Sequence, residues 1–239
     1  MPSPYGLEIV ESCINCQLRS ERSFCNLPAE GLRAFEACRT TVVYPKGSIL
    51  FVEGQSPRGV YLICAGRAKL TTSGADGKTL IIQIAEAGEV LGASATMCGG
   101  PHEVTAETLT PCQMAFIKKD DFAAFLSGHG DASLRLARML SAGYRLAYEQ
   151  IRSLGLSHTA GEKLARLLLS WCDETGKETD NGVRIKMGLT HEEISQLIGT
   201  SRETVTRLFS DFRKKQILNL RGSTLLIRNK PALKSMMSR

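Results

Sequence analysis

The chain has 239 residues, 43% hydrophobic and 23% charged, the make-up of a soluble globular protein of one large or two ordinary domains, which excludes collagen-like, disordered and rod-like classes. Its formal net charge of +6 lies entirely in the last third: residues 157–239 hold 15 Lys plus Arg against 9 Asp plus Glu, and the first 156 hold 15 of each. No apolar stretch approaches the roughly 18 residues of a membrane helix and the first twelve residues lack an export signal, so the expected location is cytoplasmic, without a membrane partner, and the basic tail points to a polyanion.

At the N-terminus, Cys13, Cys16 and Cys25 fall within thirteen residues, while the other five cysteines are scattered. A long chain without an export signal does not build a disulfide framework in a reducing compartment, so this cluster points to metal or redox chemistry. Cys13-Ile14-Asn15-Cys16 puts two thiolates within reach of one metal centre, and Cys25 returns after a loop carrying Arg19 and Arg22. Iron–sulfur clusters and zinc both take four soft ligands, so the trio needs a fourth; a thiol switch or plain buried thiols are the metal-free alternatives. Cys38, Cys64, Cys98 and Cys172 read as core or incidental thiols.

Across residues 40–117, short apolar runs at 48–52, 60–64, 68–72, 80–84, 89–91 and 114–117 alternate with glycine-rich turns. Such spacing predicts an antiparallel β-roll of the jelly-roll kind. The period then changes: Ala137, Leu140, Tyr144, Ala147, Ile151 and Leu154 recur at threes and fours, predicting a helix over about 132–154. A second set, Leu136, Met139, Gly143 and Leu146, lies beside the first. One face can pack on the roll while Leu140, Tyr144, Ala147 and Ile151 meet the same helix of a second copy; a single wide core-facing stripe is the monomeric alternative.

Residues 160–172 form an amphipathic pattern with Trp171 expected in the core, 183–186 a short strand, and 190–198 a helix opened by Thr190-x-x-Glu193, a capping-box spacing. Gly199 breaks the chain, Thr200 or Ser201 caps a longer helix to about Lys215, and 218–228 reads as a hairpin around Arg221-Gly222-Ser223. Helix, tight turn, helix and hairpin make a winged helix-turn-helix, whose second helix enters the major groove. Its exposed face carries Arg202, Glu203, Thr206 and Arg207, with Val205 and Leu208 toward the core. Arginine can donate twice to guanine, glutamate can accept from the cytosine amino group and threonine can touch the thymine methyl. Lys214, Lys215 and Arg221 are placed for phosphates. Glu203 has a second reading, because Thr200-x-x-Glu203 is also a capping-box spacing.

Residues Ile198-Gly199-Thr200-Ser201-Arg202-Glu203-Thr204-Val205-Thr206-Arg207 resemble the recognition-helix signature of the CRP/FNR family of bacterial transcription regulators, and Tyr44-Pro45-Lys46-Gly47 with the later glycines resembles its β-roll. The resemblance covers nearly the whole chain. It implies an α+β protein in four parts: a cysteine-bearing arm at 1–28, a β-roll sensor at 29–130, a dimerisation helix at 131–156 and a winged helix-turn-helix at 157–239. It further implies a homodimer on a two-fold symmetric double-stranded DNA operator with a core G·C pair, contact with RNA polymerase, and no enzymatic activity. Arg202, Glu203 and Arg207 are then the base readers; Arg202 is similar to the CRP branch, while Thr206 stands where the FNR branch carries serine.

The resemblance also frames the signal. Cyclic-nucleotide-binding members hold the phosphate with a glycine–glutamate pair and, ten residues on, an arginine–serine pair. Here Val90-Leu91-Gly92-Ala93-Ser94 and His102-Glu103 occupy those places, and without the arginine cyclic AMP of the usual kind is not expected. FNR-type oxygen sensors place a distant fourth ligand where Cys112 stands, which implies a [4Fe-4S] cluster on Cys13, Cys16, Cys25 and Cys112 and an oxygen- or redox-responsive regulator. The trio's C-x2-C-x8-C spacing has a longer second gap than the FNR pattern. The alternative is a metal-free regulator responding to a small ligand in the β-roll.

Overall fold

The structure, a computed structural model, describes residues 4–22, 24–156 and 159–237, and the chain divides into two compact units, Met1–Leu146 and Ala147–Arg239. The boundary expected at residue 157 lies outside the described residues.

The first unit begins with an irregular arm that leads into helix α1 (Ala29–Cys38), followed by strands β1 (Thr40–Tyr44), β2 (Ile49–Phe51), β3 (Gly59–Ala65), β4 (Ala68–Ser73), β5 (Thr79–Ala85) and β6 (Val90–Leu91). Helix α2 (Ala93–Cys98), strands β7 (Thr105–Thr108) and β8 (Cys112–Lys118), and helices α3 (Lys119–Gly128) and α4 (Gly130–Leu156) complete it, α4 running on into the second unit. Two antiparallel four-stranded sheets, β1-β8-β3-β6 and β2-β7-β4-β5, form the expected roll. The apolar runs read from the sequence became strands. The short helices α1, α2 and α3 are not among the elements read from the sequence.

Side chains alternate across a strand, so β3 and β8 sort their residues onto two faces. The register pairs Leu62 with Ala115 and Ile63 with Met114. Val60, Leu62, Cys64, Ala115 and Ile117 belong to the core beneath α1, α3 and the start of α4, whereas Ile63, Cys112 and Met114 belong to the interior of the roll. Phe24 seals the first core, 5.8 Å from Phe35 and 6.4 Å from Phe122 between ring centroids. Leu136 of α4 is buried in that core and Met139 packs against it, whereas Leu146, the last of the same apolar set, stays exposed.

Between β3 and β4 the chain turns at Gly66, whose φ is +90°. A Cβ there would stand 2.3 Å from the Pro111 carbonyl oxygen and 2.6 Å from Cys112 Sγ. Gly66→Ala is therefore expected to lower stability by roughly 2 kcal/mol or more, combining left-handed backbone strain with a clash against main chain. Thermal unfolding of the isolated protein checks this, and an unchanged Tm would contradict the packing.

The second unit contains α5 (Ala160–Thr175), β9 (Lys177–Thr179), β10 (Gly182–Lys186), α6 (His191–Ile198), α7 (Arg202–Lys214), β11 (Leu218–Arg221), β12 (Thr224–Ile227) and α8 (Lys230–Ser235). Its antiparallel sheet has the order β11-β12-β10-β9. The expectation for Trp171 needs correction: it is half-buried, and the core stripe of α5 is Leu164, Ala165, Leu168, Leu169 and Cys172. One residue is about 100° of helical turn, enough to carry Trp171 to the edge of that stripe. Leu208 is likewise half-buried, because Phe209 and Phe212 join Val205 in the core of α7.

Candidate nucleic-acid interface and sensor site

Local sequence builds the helix-turn-helix. Thr190 Oγ1 accepts from the Glu193 backbone N–H at 3.2 Å, and the Glu193 carboxylate accepts from the Thr190 N–H at 2.6 Å, completing the capping box of α6. Gly199, at φ +64°, ends α6 with its N–H on the Ser195 carbonyl. Two residues later Ser201 caps α7, its hydroxyl accepting from the Thr204 N–H at 3.2 Å. With Ser201 as the cap, the Thr200-x-x-Glu203 box does not form.

Glu203 is thereby left on the surface with Arg202, Thr206 and Arg207, all exposed and lining one shallow groove with Lys214. Its own backbone N–H, the Ser201 hydroxyl and Arg202 hold the Glu203 carboxyl below the usual range, so it is an ionised, acceptor-only group. Thr206 is less free than the sequence suggested. Its hydroxyl donates to the Arg202 carbonyl at 3.0 Å and lies 2.9 Å from His191 Nδ1. His191 stacks on Phe209 with ring centroids 5.0 Å apart, and burial, then Arg202, lowers its pKa. Sequence reading gave His191 no role; here it braces the first helix of the motif against the second. The wing follows as β11 and β12, joined by a two-residue turn at Gly222 and Ser223 with exposed Arg221 at its base.

In the first unit the arm is tied down by polar contacts. Fully buried Gln113 donates from Nε2 to the Val10 carbonyl and accepts the Val10 N–H on Oε1, both at 2.7 Å. Glu36 accepts the Cys13 N–H at 3.1 Å, and Arg39 donates to the Glu11 carbonyl at 2.7 Å. These bonds hold Cys13, Cys16 and Cys25 around one narrow cavity that Arg19 and Arg22 also line. Arg22 Nη1 stands 4.0 Å from Cys16 Sγ. Burial pushes the Cys13 thiol up to about 11 and the Cys25 thiol up to about 12, so both are neutral until a cation offsets their charge. Among the described residues no group of three or more His, Cys, Asp or Glu is drawn to the spacing of a single metal ion.

Cys112 is not brought to the trio, and the expected ligand set fails at this position. It lies inside the roll beneath Gly66, with Sγ 3.2 Å from the Thr110 carbonyl and 3.3 Å from the Arg67 carbonyl. The arm docks on the other face of the same sheet. Gln113, next in the strand, points to the arm, so alternation turns Cys112 away.

At the positions that the resemblance aligns with a cyclic-nucleotide phosphate site, the Ser94 hydroxyl donates to the Glu103 carboxylate at 2.7 Å. His102 is buried, stacked on Phe51 at 3.9 Å, and burial keeps its pKa below the ordinary imidazole value. The β-roll cavity that Phe51 and His102 line also carries Arg58.

Residues 41–129 match the cyclic nucleotide-binding domain family, and residues 162–236 match the Crp-like helix-turn-helix domain family. The CRP-like cAMP-activated global transcriptional regulator of Mycobacterium tuberculosis is 27% identical over 186 residues, 78% of this chain and 83% of that protein. The anaerobic regulatory protein of Bacillus subtilis is 26% identical over 196 residues, 82% of each chain. A solved CooA mutant from Carboxydothermus hydrogenoformans shares the fold, with a TM-score of 0.74 at 24% identity over 84% of this chain and 88% of that one.

Proposed function

The chain belongs to the CRP/FNR family of transcription regulators, non-enzymatic proteins that bind DNA as dimers, and from that premise we propose that its dimerisation and DNA affinity respond to oxygen or redox state through a [4Fe-4S] cluster on the N-terminal arm. The observation that carries this reading is the docked arm itself, which gathers Cys13, Cys16 and Cys25 in one cavity beside two arginines. The likeness to an anaerobic regulatory protein supports it, and so does the Ser94–Glu103 contact, which disfavours cyclic AMP of the usual kind. A cluster held there supplies sensitivity to oxygen and nitric oxide, which dismantle it.

The chain's own residues supply the rest. Gln113, Glu36 and Arg39 orient the arm, and the core under the cavity continues through Phe24 to Leu136 and Met139 of α4. Ordering the arm and ordering α4 are thus linked, so whatever binds the arm more tightly in the dimer must favour dimer and DNA by the same free energy. Arg202, Glu203, Thr206 and Arg207 read bases, Leu140, Tyr144, Ala147 and Ile151 form the dimer seam, and a bound dimer then meets RNA polymerase.

Protein purified without oxygen should bind its selected operator at least about tenfold more tightly than the same sample after air, measured by fluorescence anisotropy. Cys13→Ser should bind weakly under both conditions. Equal affinity of the wild-type protein in nitrogen and in air would overturn the reading.

A further inference from the structure

Cys64 looks in the sequence like one more core residue of β3, yet the fold gives it a special position. It is on the same face of the strand as Val60 and Leu62, the face over which the arm is laid. The cavity lined by Cys13, Cys16 and Cys25 has Cys64 as its floor. Cys13 and Cys25 pack against the core cluster to which Cys64 belongs. Four cysteine side chains therefore converge on one cavity, three from a segment of thirteen residues and the fourth from the roll.

We propose that Cys64, in place of Cys112, is the fourth thiolate of the arm centre, which is then Cys13, Cys16, Cys25 and Cys64; this rests on the reading that the arm binds an iron–sulfur cluster. Three physical features select this set. A thiol on the floor and three on a lid enclose a guest from opposite sides, whereas Cys112 could reach the arm only through the sheet. Cys13 and Cys25 already pack against the core that contains Cys64, whereas Cys112 belongs to the separate core inside the roll. Four thiolates outweigh the positive charge of the cube's core, and Arg19 and Arg22 line the cavity to balance the excess.

Ligation releases one proton from each thiol as its sulfur bonds iron, leaving the redox state of the cube unchanged. In this arrangement Cys64 also carries the cluster's state into the core that contains Leu136 and Met139.

The test compares full-length wild type, Cys64→Ser, Cys64→Ala and Cys112→Ser after reconstitution with iron and sulfide under nitrogen. Iron, acid-labile sulfide and visible absorption are read per chain, and apo Tm values report folding. Cys112→Ser should load like wild type, and both Cys64 variants should fall to less than about a quarter of it. Loading of Cys64→Ala with failure of Cys112→Ser overturns the assignment while leaving the cluster reading intact. If the Cys64 variants do not fold, Cys112→Ser decides alone, since its failure to load sinks the proposal and its full loading sustains it. If wild type takes up no iron, the cluster reading falls and the assignment of Cys64 falls with it.

Discussion

The double variant Leu140→Lys/Ile151→Lys is expected to sediment as a monomer and to bind the operator more weakly by on the order of 10²–10⁴-fold. On α4, Leu136 and Met139 are taken up by the core of the roll. Leu140, Tyr144 and Ile151 remain 37%, 70% and 65% exposed within the single chain, on a helix 27 residues long. Fully burying an aliphatic side chain of this size is worth about 1.5–3 kcal/mol, and a two-fold interface counts each one twice. Two lysines per chain would instead bring four ammonium groups together along the seam. A dimer reads two half-sites, and the second is bound at the effective concentration set by the first, so the monomer forfeits that gain. Because both positions are exposed, the Tm of the isolated chain should change little. A double variant that remains dimeric in analytical ultracentrifugation would place the interface elsewhere.

Elements with a clear period or a capping signal are legible in the sequence. Thr190-x-x-Glu193 specified the start of α6 by local hydrogen bonding alone, and Gly199 specified its end through a backbone conformation that few other residues tolerate. On α4 the core takes up Leu136 and Met139 of the second apolar set, while Leu146 stays 50% exposed, so the period alone marks where the helix starts to pack and not where it stops. The ligand set was not legible in the same way. The place of Cys112 in the ligand set rests on a resemblance, and nothing in one sequence says which side of a sheet a docked arm will cover. The partial clue was parity. In the apolar run from Val60 to Cys64, the thiol shares the phase of Leu62, and in β8 Cys112 shares the phase of Met114. Only the pairing of Leu62 with Ala115 and of Ile63 with Met114 shows that these phases are opposite faces. Register is a long-range property, here between residues some fifty positions apart, and no local rule supplies it. His191 was missed for a related reason: its partner Thr206 lies on the next helix.

On the DNA side, substitutions separate by what they touch. Arg202→Ala and Arg207→Ala are each expected to weaken binding to the selected operator by about 1–3 kcal/mol per half-site, roughly 5- to 150-fold, while relaxing the preference for guanine at the base read. Lys214→Ala and Arg221→Ala should weaken all sequences alike and reduce the slope of log affinity against log salt by about 0.9 per half-site. Glu203 allows the sharpest experiment. It is exposed, outside any capping box, and held ionised by its own N–H and the Ser201 hydroxyl. A carboxylate only accepts, which matches the cytosine amino group; a glutamine of the same length both donates and accepts, which matches adenine. Glu203→Gln should therefore change the selected base from cytosine to adenine while leaving the fold and the salt slope as they were. Selection of binding sites from random duplexes, run in parallel for the two proteins, gives the answer. An unchanged base preference in the variant would return Glu203 to a local role at the start of α7 and leave the reading of the half-site to Arg202 and Arg207.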